Sequence, residues 1–93
     1  MNDAVTRHVL LVEDTIPLAR SYIEFLKTGP YTVEHVETGR KALNALKRGE
    51  CDVMLLDINL PDMSGLDVLA RLAEIETHCP VVVITAHGSI KLA

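Results

Sequence analysis

Three short runs of purely apolar residues constrain what this chain can fold into: Val9 to Val12, Val53 to Leu56 and Val81 to Ile84. Each is only four residues long and none alternates with polar residues. A run of that kind reads as a strand buried on both faces. The segments between the runs carry apolar residues at helical spacing. Strands separated by helices run parallel and are joined by right-handed crossovers. The pattern therefore implies an open parallel sheet with helices packed on both sides.

Local signals fill in the rest. Pro17 suits the first turn of a helix. Leu18, Tyr22, Phe25 and Leu26 follow at helical spacing, and Gly29-Pro30 ends that segment. Tyr31 to Val36 is a β-branched stretch whose alternation points to a second strand at a sheet edge. Thr38 is an N-cap candidate, Ala42, Leu43 and Leu46 mark the apolar face behind it, and Gly49 stops the helix. Ser64 and Asp67 have capping-box spacing, with Leu66, Leu69, Leu72, Ala73 and Ile75 as the predicted stripe. Pro80 introduces the fourth strand, Val81 to Thr85. Ser89 reads as the N-cap of a fourth helix, which places Lys91 inside it. The order is β-α-β-α-β-α-β.

The whole sequence is 93 residues, enough for one domain and no more. Hydrophobic residues make up 48%, but aromatics only 3%, so the core is aliphatic. The net charge of -4 argues against nucleic-acid binding by this segment. The basic pairs Arg40-Lys41 and Lys47-Arg48 are expected on a solvated helix face. No apolar run approaches the ~20 residues of a membrane span, and residues 1–8 lack a signal-peptide core. Cys51 and Cys79 have no zinc spacing and are expected to be reduced, partly buried thiols in a cytoplasmic protein. His8, His35, His78 and His87 are scattered, with none paired as metal ligands; His87 is the one nearest the chemistry described next.

In an open parallel sheet, ligands bind beyond the carboxyl ends of the strands. Glu13 and Asp14 follow the first strand, Asp57 closes the third and Thr85 ends the fourth. Three carboxylates and a hydroxyl thus converge from distant parts of the chain. Clustered carboxylates repel unless a cation binds or one takes a proton. A hard divalent ion, with Mg²⁺ the natural choice beside phosphate, resolves the conflict, and the Asn59 carbonyl is placed to add a ligand. Asp57 sits at the end of a rigid strand, where a carboxylate can act as a nucleophile and form an acyl phosphate.

VLLVEDT (Val9 to Thr15), LLDINLPDMSG (Leu55 to Gly65) and VVVITAHGS (Val81 to Ser89) resemble the receiver domain of two-component response regulators. The resemblance implies a flavodoxin-like, doubly wound sheet of order 2-1-3-4. It implies Asp57 as phosphoacceptor, with Mg²⁺ held by Glu13, Asp14, Asp57 and the Asn59 carbonyl. Thr85 would be the switch hydroxyl, and Pro61 and Gly65 would shape the loop after the acceptor. A sensor histidine kinase or phosphotransfer protein would be the phosphoryl donor. The segment Thr85 to Ser89 further resembles receivers of nitrogen-regulation type, which precede sigma-54-dependent activator domains and control transcription.

The resemblance also implies a fifth strand and a last helix, carrying a phosphate-contacting Lys, beyond Ala93. The chain is accordingly expected to be one receiver domain over residues 1–93, truncated within its fourth helix, with Val81 to Ile84 left as a bare sheet edge. Bare apolar edges recruit other chains, so self-association is expected. Two other readings compete with the signalling module. A Mg²⁺-dependent phosphohydrolase with an Asp nucleophile would place a DxD after the first strand, where Glu13-Asp14-Thr15 stands. An inert interaction fragment would never take phosphate.

Overall fold

The computed structural model describes residues 5–49, 51–75, 79–85 and 88–91, and from residue 85 onward the backbone path. Its elements are β1 (Arg7–Val12), α1 (Ile16–Leu26), β2 (Tyr31–Val36), α2 (Gly39–Lys47), β3 (Val53–Asp57), α3 (Gly65–Leu72), β4 (Val81–Thr85) and β5 (Gly88–Lys91). They form one sheet of order β2-β1-β3-β4-β5. The first four strands are parallel, as expected, and β2 lies at an edge.

Local chemistry sets the helix ends. The Thr38 hydroxyl accepts the Lys41 N–H at 3.1 Å at the start of α2. Ser64 Oγ accepts the Leu66 N–H at 3.1 Å, and the Asp67 carboxylate accepts the Ser64 N–H at 3.2 Å, completing the box that starts α3. Each arrangement satisfies donors that the first helical turn leaves open. Gly49, after α2, has a φ of 84°, a conformation side chains other than glycine's rarely tolerate.

On one face of the sheet, α2 and α3 cover Leu10, Val12, Met54 and Leu56, with Ala42, Leu46 and Val68 completing the buried cluster. Met54 and Leu56 are fully buried, and truncating such a residue to Ala costs about 2–5 kcal/mol. On the other face, Ala19 of α1 packs with Leu11 and Ile84. Cover there is thinner than the continuous apolar runs imply, since Val53, Leu55 and Val82 are only half-buried.

The α3 stripe also differs from expectation. Gly65 is buried, and adding three and seven residues to 65 turns Val68 and Leu72 inward with it. Leu66 lies about 100° around the helix from Gly65 and is exposed.

Beyond β4 the chain departs from the predicted course. Ser89 does not cap a helix, and Lys91 is not helical: both lie in β5, which runs antiparallel to β4 with Thr85 opposite Gly88 and Val82 opposite Lys91. An unpaired strand edge presents a row of open backbone donors and acceptors, and here this chain's own residues satisfy them. The edge of β4 is therefore not bare, and β5 is the terminal strand on that side of the sheet. The parallel fifth strand that the resemblance implies is a different element from this antiparallel one.

Cys51 and Cys79 are joined as a disulfide, contrary to the expectation of free thiols. Each cysteine lies two residues ahead of its strand, β3 or β4, and these strands are parallel neighbours. Parallel pairing thus brings the two together at the amino edge of the sheet, with Cα atoms 5.9 Å apart, within the range a disulfide spans.

Candidate functional site

The carboxyl ends of β1 and β3 lie side by side because Val12 pairs with Leu56 in parallel register. The next residue along each strand is acidic: Glu13 after Val12, and Asp57 after Leu56. Asp14 follows at the mouth of the β1–α1 loop. One carboxylate oxygen from each of Glu13, Asp14 and Asp57 lies within 4.8 Å of the others. Glu13 is 2% exposed and Asp57 8%, so two of the three charges are largely withdrawn from water.

Little offsets that charge. The Thr15 N–H donates to Glu13 Oε2 at 3.0 Å, and the Asn59 N–H donates to Asp57 Oδ1 at 3.3 Å. Among the described residues, the ion pairs are Lys27–Glu24 and Arg48–Glu34, and neither touches the cluster. Burial pushes the Glu13 carboxyl above its usual range. The Thr15 N–H opposes that rise, while the charges of Asp57 and Asp14 add to it. Tyr22, on α1, is raised as well, by burial first and then by the charges of Glu13 and Asp57. The cluster's field therefore reaches the phenol on the adjoining helix.

The donor set fits a small hard cation. All three side chains offer oxygen, and oxygens at this separation can close on one ion whose ligand distances are about 2.1 Å. This cluster matches the acidic trio anticipated from the sequence. Thr85, at the end of β4, lies one residue beyond Ile84, the partner of Asp57 in the register. Asn59 forms an isolated bridge with Ser64, which closes the β3–α3 loop into a tight reversal. Gly65 explains why that reversal needs glycine. A Cβ there would stand 2.5 Å from the Asp57 carbonyl oxygen and 2.9 Å from Ile58 Cα. His87 and His78 lie outside the described residues.

Two further residues bear on the site. The Asp62 carboxylate accepts the Gly39 N–H at 2.8 Å and the Arg40 N–H at 3.0 Å, tying the loop after Asp57 to the start of α2. The His35 Nε2 donates to the Glu13 carbonyl at 2.7 Å, the carbonyl fixing which partner is the donor. Pro61 and Gly65, on either side of Asp62, point to a loop here. Neither long-range partner is visible without the strand order.

Comparison with known proteins agrees with this arrangement. The family described as the response regulator receiver domain matches residues 9–93. The regulatory protein LuxO of Vibrio cholerae serotype O1 is 43% identical over 83 residues, which make up 89% of this chain and 18% of that protein. The chain thus spans less than a fifth of the length of that relative. The crystal structure of the signal receiver domain of a LuxO repressor protein from Vibrio parahaemolyticus superposes with a TM-score of 0.84 at 43% identity, covering 92% of this chain and 66% of that one. The phosphorylated cyanobacterial phytochrome response regulator RcpA superposes with a TM-score of 0.81 at 32% identity, covering 87% of this chain and 66% of that one. Among the described residues no helix is long and apolar enough to cross a membrane. With its parallel β2-β1-β3-β4 core and an acidic cluster at the strand ends, the chain belongs to the response regulator receiver domain family.

Proposed function

We propose that Asp57 accepts a phosphoryl group from the phosphohistidine of a sensor kinase or a phosphotransfer protein. A P–O bond forms to the Asp57 carboxylate while the P–N bond breaks, its electron pair leaving on the imidazole nitrogen. The observation that carries this reading is the approach of Glu13, Asp14 and Asp57 to within 4.8 Å at the ends of adjacent strands. Receiver domains bind Mg²⁺ at an acidic pocket, and here Glu13, Asp14, Asp57 and the Asn59 carbonyl would hold it. When bound, Mg²⁺ neutralises charge on the phosphoryl oxygens. The chain's own contribution is positioning: β3 fixes Asp57, and the Asn59 N–H holds one of its oxygens, Oδ1. Thr85, at the end of the neighbouring strand, is assigned as the switch hydroxyl.

Receiver domains are generally signalling domains rather than enzymes, and any hydrolysis of the acyl phosphate here is a slow self-dephosphorylation. Because the chain spans 18% of the LuxO relative, its downstream effect is assigned by similarity: control of transcription through sigma-54-dependent activator domains elsewhere in a longer protein. A cytoplasmic location goes with that role. The acidic balance of the segment, net charge -4, leaves nucleic-acid contact to other domains.

The test is direct. Incubation with Mg²⁺ and a small acyl-phosphate donor should add one phosphate, located on Asp57 by mass spectrometry and absent in Asp57→Asn. An adduct that persists in Asp57→Asn, or none in the unsubstituted protein, refutes the assignment.

A further inference from the structure

The backbone of Glu13 is held on both sides of its Cα by β2. Its N–H donates to the Val36 carbonyl at 3.0 Å, which continues the ladder one step past the last pair, Val12 with Val36. Its carbonyl lies where the chain leaves the sheet, beyond the reach of that ladder. There the side chain of His35, half-buried on the same edge strand, takes over through Nε2 at 2.7 Å. The Glu13 carboxylate is occupied separately, by the Thr15 N–H. The backbone and side chain of this one residue are therefore both fixed before any cation arrives.

The carbonyl in question belongs to the peptide that joins Glu13 to Asp14. Its plane sets the direction in which the Asp14 Cα leaves the sheet, and so where the least buried of the three carboxylates can stand. A carbonyl left without a donor at this point would be free to rotate, carrying Asp14 with it. Groups that orient metal ligands without touching the metal are commonly worth about tenfold or more in affinity.

We infer that His35 is a positioning residue for the acidic cluster: by donating Nε2–H to the Glu13 carbonyl, it fixes the Glu13–Asp14 peptide so that Asp14 meets Glu13 and Asp57 around one cation. The inference rests on the Mg²⁺ reading given above. It does not depend on a change of charge on the imidazole, because the donor alone does the work.

Isothermal titration of the full chain with Mg²⁺ tests it, using the unsubstituted protein, His35→Leu and His35→Gln. Leu removes the donor, while Gln keeps an N–H that can reach a carbonyl. Urea unfolding of the same three proteins reports stability independently, and the backbone amide resonance of Asp14 reports the peptide itself. The expected result is that His35→Leu remains folded, binds Mg²⁺ about tenfold more weakly and shifts the Asp14 amide, while His35→Gln restores both. An unchanged Mg²⁺ constant in folded His35→Leu overturns the positioning role and leaves the metal reading intact. Equal losses in Leu and Gln also overturn it, since the donor is then not what matters. Failure of the unsubstituted protein to bind Mg²⁺ overturns the metal reading itself, and this inference with it.

Discussion

The carboxylate of Asp62 accepts the backbone N–H of Gly39 at 2.8 Å, across 23 residues of sequence. One side chain thus caps the first turn of α2 while anchoring the loop that leaves Asp57. The hydrogen bond from the Arg40 N–H does most to hold the Asp62 carboxyl below its usual range, with burial opposing it and the Gly39 N–H assisting. Asp62→Ala should destabilise the protein by about 1 kcal/mol, the usual effect of losing an N-terminal cap. A group whose folded pKa is depressed stabilises above its unfolded pKa and loses that contribution as pH falls through the folded value. The gap between Asp62→Ala and the unsubstituted protein in urea should therefore be full at neutral pH and close below the ordinary Asp value of 3.8. A gap that stays constant down to the acid transition would argue against the cap.

Glu13 has the opposite sign. Its folded carboxyl is raised, so the stabilisation it allows is fully present below the unfolded pKa and lost as pH rises through the folded pKa. Without a divalent ion, Glu13→Gln keeps an acceptor for the Thr15 N–H and removes the buried charge. It should raise stability at neutral pH by on the order of 0.5–2 kcal/mol, a common gain from relieving unfavourable charge. The same substitution should largely abolish the rise in melting temperature that Mg²⁺ gives the unsubstituted protein. That rise should itself shrink on acidification, as protons compete for the carboxylates. Thermal scans with and without Mg²⁺ across the acid range check both statements.

Gly65→Ala forces a methyl group to within 2.5 Å of the Asp57 carbonyl oxygen, a backbone atom that cannot swing aside as a side chain would. Overpacking of this kind costs about 1–3 kcal/mol. Since the displaced atom belongs to Asp57, acyl-phosphate labelling should slow as well as the urea midpoint falling. A fall in stability with an unchanged labelling rate would show that the two are separate.

The bond between Cys51 and Cys79 closes a loop with a sequence separation of 28. Chain-entropy arguments give such a cross-link about 3.5 kcal/mol, so reduction should lower the melting temperature by about 10–25 °C. The cysteines lie at the amino edge of the sheet and the acidic cluster at the carboxyl edge, so Mg²⁺ affinity should be the same in reduced and oxidised protein. A changed affinity would mean that strain passes along β3.

How much of this was legible depended on range along the chain. Thr38, Ser64 and Asp67 were readable because a cap and its helix are sequence neighbours. The acidic trio was readable because parallel strands must present their carboxyl ends together, whatever the details of register. Leu66 was misread because apolar spacing alone leaves helix phase open, and the packing of Gly65 against Asp57 decides it. The cysteine pair needed β3 and β4 to be neighbours, which the strand order already contained but which spacing rules for metal sites do not consult. His35 and Asp62 act on backbone atoms 22 and 23 residues away, and no local pattern records such a bond. Ser89 has the composition of a helix start, and strand pairing overrode it.

The β4–β5 pairing gives the sheet an uneven assembly order. Every parallel pairing requires a helical crossover, and the β1–β3 pair joins Val9 to Val53, so each closes a long stretch of chain. By contrast, Thr85 and Gly88 face one another with only two residues between them. Hairpins of that size form in about 1–10 μs, and distant strands pair far more slowly because their loops must close first. Amides in Val82 to Ile84 that point toward β5 should therefore gain protection from solvent exchange early in refolding, ahead of those in β1. Pulse-labelled exchange showing β1 protected first would reverse that order. The strand that pairs outside the parallel pattern is then the one that gives the collapsing chain its earliest template.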